Sequence, residues 1–97
     1  MSKFDELINS ETPVLMQISA EWFEPCKVMA PILKDVASKV GRNAKIIKVD
    51  IDKNPNAITM FNVESVPTLI IFKKGEIKWR QFGIIQAGPL VEALLFS

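Results

Sequence analysis

Apolar residues follow different rhythms in different parts of this chain. Val14 to Ser19, VLMQIS, and Thr68 to Phe72, TLIIF, are short and almost continuously apolar. Runs of that length read as strands buried on both faces. Ile77 to Phe82, IKWRQF, alternates apolar and polar positions, the pattern of a half-buried strand. Ala44 to Ile51, AKIIKVDI, reads as a further strand. After Pro25 the period changes. Val28, Met29, Ile32, Leu33, Val36, Ala37 and Val40 recur at spacings of one and three, a wide apolar stripe on a long helix. Lys27, Lys34, Asp35, Ser38 and Lys39 fall on its other faces. Pro25 suits the first helical turn, where its missing N–H costs nothing. Gly41 is a natural stop. Pro31 removes one donor inside the helix and predicts a kink.

Shorter signals fill in the rest. Phe4, Leu7 and Ile8 share one face of an opening helix, with Ser2 as its cap and Thr12-Pro13 as its end. Asn54-Pro55 starts a short helix through about Phe61, and Pro89 to Phe96 forms an apolar last helix. Lys74-Gly75 turns the chain in a hairpin, and Gly83 breaks the last strand. The order α-β-α-β-α-β-β-α predicts an α/β fold. A long helix between the first two strands implies a right-handed parallel crossover, and the hairpin implies an antiparallel pair. A mixed four-stranded sheet with helices on both faces satisfies both, as one domain over residues 1–97.

Composition narrows the chemistry. Of 97 residues 48% are hydrophobic, and net charge is +1 from 12 basic and 11 acidic side chains. That balance points to neither nucleic acid nor an anionic membrane surface. The opening MSKFDELINS lacks the apolar run of a secretory signal, and no stretch is long enough to span a membrane. A cytoplasmic protein with a reduced thiol is expected. There is one cysteine, Cys26, and no histidine. An internal disulfide and a Ser-His-Asp or Cys-His centre are therefore impossible, and ligands for zinc or an iron–sulfur cluster are lacking. No cofactor is expected. Asp50, Asp52 and Asn54 resemble the opening of a calcium loop, but Pro55 stands where glycine is needed and Phe61 where glutamate is needed. They read as a strand end and a helix cap. Lys48, Lys73, Lys74 and Lys78 read as solvated charges.

Three blocks carry a resemblance over nearly the whole chain: VLMQISAEWFEPCKVMAPIL, KVDIDKNP and VESVPTLIIFKKGEI, followed by Gly83. In this order and spacing they resemble the thioredoxin family. The resemblance implies a three-layer α/β/α sandwich, a cis bond before Pro67, and an active-site loop at Trp22, Phe23, Glu24, Pro25, Cys26 and Lys27. That family's motif is Trp-Cys-Gly-Pro-Cys-Lys. Phe23 therefore stands at the position of the exposed nucleophile, and Cys26 at that of the buried resolving thiol. Gln17 matches the family's buried aspartate and cannot ionise. The family's opening edge strand has no counterpart ahead of the first helix, so strand 44–50 becomes an edge, open to a partner strand or a homodimer.

Dithiol–disulfide exchange needs one sulfur to attack and another to release the product. With Cys26 alone, exchange stops at a mixed disulfide unless an outside thiol such as glutathione resolves it. A helix N-terminus favours a thiolate, whereas apolar surroundings favour the neutral thiol. Cys26 shares a helix face with Met29 and Leu33, so burial is expected to win and to leave an inert thiol. The alternative is a monothiol oxidoreductase. Trp22 and Phe23 are either a lid on the core or an exposed apolar platform. In the family the residues matching Trp22, Val66, Pro67, Gly83 and Ile84 grip an extended substrate. They stay apolar or small here, and Phe23 would enlarge the patch. A protein or peptide partner is the implied ligand.

Overall fold

The computed structural model describes residues 3–96. Its elements run α1 (Lys3–Ile8), β1 (Val14–Ser19), α2 (Glu24–Val40), β2 (Lys45–Asp50), α3 (Asn56–Met60), β3 (Thr68–Lys73), β4 (Glu76–Phe82) and α4 (Ala87–Leu95), with a 3-10 turn at Gly41–Asn43. The strands form one sheet in the order β2-β1-β3-β4. β1 runs parallel to β2 and antiparallel to β3, and β3 pairs antiparallel with β4. Every residue of β1 is buried, Gln17 and Ser19 included, because helices cover both faces of this central strand.

Alternation along the strands builds two cores. Leu15, Leu69 and Ile71 face α2 and α4, where Met29, Leu33, Val36, Leu90 and Leu94 close over them. Met16, Ile18, Ile70 and Phe72 face the other way, against Phe4, Ile8, Ala57 and Phe61 from α1 and α3. This is the expected three-layer α/β/α sandwich. Each fully buried side chain of this size contributes about 1.5–3 kcal/mol relative to exposure.

The buried line of α2 is Cys26, Met29, Leu33, Val36 and Val40. It is narrower than the apolar stripe in the sequence. Val28 and Ala37 are exposed, because each is about 100° around the helix from a core position. The helix continues through Pro31, which lies on its exposed side. Gly41 ends it with φ +54° and donates its N–H to the Ala37 carbonyl.

Further expectations need correction. α1 stops at Ile8 rather than at Thr12-Pro13. The Lys74 N–H donates to the Ser10 carbonyl at 2.8 Å and the Gly75 N–H to the Ile8 carbonyl at 3.2 Å. The hairpin thus takes the carbonyls at the helix end and draws the chain out of its spiral. Leu7 is exposed while Phe4 and Ile8 are buried. The proposed cap Ser2 lies outside the described residues. Asn54 is no side-chain cap of α3. Its side-chain amide donates back to the Asp50 carbonyl at 3.2 Å.

The hairpin is tight, with φ +55° at Lys74 and +81° at Gly75, the signature of a primed turn. Lys78, hydrogen-bonded to Glu76 at 3.0 Å, holds the exposed Glu76 carboxyl below its usual value. β4 is less buried than its alternation predicts. A register shift at Ile71/Phe72 pairs Ile77 with Phe72 and Trp79 with Ile71, so Ile77 and Trp79 lie on opposite faces. Only Trp79 packs on a core. β2 and β4 are the two edges, and no strand precedes α1 among the described residues.

Candidate binding groove

β1 delivers the chain to a turn at Glu21–Phe23. The Phe23 N–H donates to the Ala20 carbonyl at 3.1 Å. Phe23 caps α2 in an extended conformation, and its carbonyl accepts the Cys26 N–H at 3.0 Å. Its side chain therefore stays outside the helix and is 38% exposed. Trp22 is 66% exposed, yet it is held in place: its indole N–H donates to the Asp52 carboxylate at 2.8 Å. Asp52 is fixed in turn, since its backbone N–H donates to the Asp50 carboxylate at 2.8 Å. The two rings meet edge to face, with centroids 5.9 Å apart at 62°. They form a platform, and the lid reading is set aside.

The facing wall comes from two loops. The Val66–Pro67 peptide is cis. Gly83, at φ +98°, donates its N–H to the Pro67 carbonyl at 2.8 Å and so ties the loop after β4 to the proline. Ser65 is fixed from below, its carbonyl accepting the Thr68 hydroxyl at 2.6 Å. Trp22, Phe23, Pro25, Val66, Pro67, Gly83 and Ile84 all line one open groove of about 480 Å³. No charged side chain lines it.

Two lining residues escape the sequence reading. Ser65 has no distinguishing signal. Phe82 is 67% exposed and lines the groove, and its position just before Gly83 was the available clue. Asp52 was missed because its partner Trp22 is 30 residues away. Beside the groove, Arg80 donates to the Phe61 carbonyl at 2.5 Å and the Asn62 carbonyl at 2.6 Å. It thereby fastens the end of α3 to β4.

Cys26 and Gln17 do not join the groove. Cys26 is 6% exposed, and its sulfur accepts the Ala20 N–H at 3.5 Å. What little surface it has opens on a separate shallow cleft with Ser19, Glu21, Lys27 and Lys48. Gln17 is 0% exposed on the β1 face that α2 covers, and neither its amide nitrogen nor its oxygen has a hydrogen-bond partner. An orphaned buried amide costs about 1–3 kcal/mol. Among the described residues no cluster of three or more His, Cys, Asp or Glu is placed to hold a metal ion. No helix among them is long and apolar enough to cross a membrane.

A mixed sheet of this order, with a long helix opening at Trp22–Lys27 and an apolar groove beside a cis-proline, defines a thioredoxin-type domain. The chain belongs to the thioredoxin family, whose profile, described as Thioredoxin, matches residues 1–95. It is similar to the thioredoxin-like protein slr0233 of Synechocystis, 40% identical over 88 residues that cover 91% of this chain and 84% of that one. It is 36% identical to thioredoxin of Rickettsia conorii over 87 residues, 90% of this chain and 83% of that one. Chloroplastic thioredoxin Y of Oryza sativa is 38% identical over 94 residues, 96% of this chain and 56% of that one.

Proposed function

We propose that this protein holds an extended, uncharged segment of a protein partner in the Trp22–Pro67 groove, without dithiol exchange. The observation that carries this reading is the division of the site. The groove is wholly uncharged and open, while the single thiol is buried away from it. Phe23 adds apolar surface where the family's attacking thiol would stand. Covering such surface is worth about 25 cal/mol per Å² before the costs of association. Trp22 supports the same reading, because its indole is already fixed by Asp52 and loses little freedom on binding. The one free thiol suits a reducing compartment, and we place the protein in the cytoplasm.

A second reading rests on the shallow cleft at Cys26, flanked by Lys27 and Lys48. There the Cys26 thiolate would attack a disulfide sulfur and expel the other sulfur as a thiolate. Glutathione or another outside thiol would then release the product.

Titration with uncharged extended peptides, followed by tryptophan fluorescence, separates the two. The groove reading expects the parent and Cys26→Ser to bind alike and Phe23→Asp to weaken binding by about tenfold or more. Loss of binding in Cys26→Ser, with Phe23→Asp unaffected, would favour the second reading.

A further inference from the structure

β2 lies at the sheet edge, and the directions of its backbone groups follow from its ladder to β1. The Lys45 N–H donates to the Pro13 carbonyl and the Ile51 N–H to the Ser19 carbonyl, both at 2.9 Å. Backbone groups alternate sides along a strand. Lys45, Ile47, Val49 and Ile51 therefore face β1, while Ile46, Lys48 and Asp50 face outward. The Asp50 carbonyl is already engaged, accepting the Asn54 N–H at 2.8 Å and the Lys53 N–H at 3.2 Å. The outward groups of Ile46 and Lys48 have no partner among the described residues.

We propose that β2 pairs antiparallel with β2 of a second copy, about a two-fold axis at Ile47, joining two sheets into one. Residues directly opposite in an antiparallel ladder lie on the same sheet face, so a symmetric register can set only positions of equal parity against each other. Centring on Ile47 places Ile46 against Lys48 of the second copy and Lys48 against its Ile46. Those are the residues with free outward groups, and each pair can exchange both backbone hydrogen bonds. Centring on Lys48 instead opposes two ammonium side chains and sets Ile46 against Asp50, whose carbonyl is taken. The first register is therefore preferred.

The side chains agree with it. Ile47 is half-buried against the α1/α3 core and meets its own copy across the axis, a β-branched cross-strand pair. Ile46 is half-buried on the opposite face, against the α2/α4 core. The α1/α3 core thus continues across the interface, while on the other face Ile46 lies along the Lys48 stem of the second copy, and the contact closes on itself as an isologous dimer. The two Lys48 side chains come diagonally near one another, with Glu21 in the same cleft to offset part of their repulsion. A foreign strand would satisfy the hydrogen bonds but would not supply the Ile47 self-contact.

Sedimentation equilibrium measures this directly, with a dimer expected at micromolar concentrations. Lys48→Pro removes only an outward donor, a change an edge strand tolerates. It should raise the dissociation constant by about tenfold or more while leaving the circular dichroism spectrum unchanged. Ile47→Cys should form a disulfide-linked dimer on mild oxidation, and Lys45→Cys, which faces Val49 of the other copy, should not. A parent that stays monomeric at millimolar concentration overturns the proposal. So does a dimer untouched by a folded Lys48→Pro, or Lys45→Cys crosslinking as readily as Ile47→Cys. Should Lys48→Pro fail to fold, the two cysteine variants decide.

Discussion

The Trp22 indole donates to the Asp52 carboxylate at 2.8 Å, joining the loop before α2 to the turn after β2. This bond orients a ring that is otherwise mostly in water. It also forms one wall of the groove without spending a groove donor, since the N–H points away to Asp52. Asp52→Ala should free the ring. Stability should fall by no more than about 1 kcal/mol, because the bond is exposed. Peptide affinity should fall by about two- to tenfold as the ring must be ordered on binding. Asp52→Asn keeps an acceptor and should restore most of the loss. Fluorescence titration checks both.

Among the described residues, Gln17 is the one buried side chain with polar atoms left unpaired. Gln17→Met keeps its length and removes the orphaned amide. The variant should gain about 1–2 kcal/mol. For a domain of this size that raises the melting temperature by about 4–16 °C. Thermal unfolding by circular dichroism reads the sign, and a loss of stability would show that the amide is satisfied in solution.

Cys26 should behave as a packed apolar residue. Iodoacetamide at about pH 8, where an ordinary thiol is partly ionised, should leave the folded protein unlabelled and label it fully in denaturant. Rapid labelling of the folded state would instead support monothiol chemistry.

Gly83→Ala tests the tie between the two loops of the facing wall. An added Cβ would meet nothing within 4 Å, so no clash enters the result. The remaining penalty is conformational, because φ +98° suits glycine and strains alanine by about 1–3 kcal/mol. Unfolding experiments should show that loss. Weaker peptide binding should accompany it if the bond to the Pro67 carbonyl is strained.

Much of this fold is legible in the chain because the apolar runs differ in kind. VLMQIS and TLIIF carry no charged residue, and both become inner strands. The boundaries that misled are those set by distant contacts. α1 ends early because a hairpin more than sixty residues away takes its carbonyls. IKWRQF reads as a half-buried strand, yet one register shift sends Ile77 and Trp79 to opposite faces. The groove divides in the same way. Trp22, Phe23 and Pro25 are adjacent in sequence, and Val66, Pro67, Gly83 and Ile84 follow from family resemblance. Phe82 and Asp52 depend on tertiary geometry, which no local pattern records.

The most direct test of the account is the rate of insulin disulfide reduction by dithiothreitol, measured with the parent and with the Phe23→Cys/Gln17→Asp double variant. The account predicts that the parent leaves the rate at the reagent's own background. The double variant, with both missing groups restored on an intact scaffold, should raise it well above that. A parent that accelerates reduction as a dithiol thioredoxin does would contradict the account.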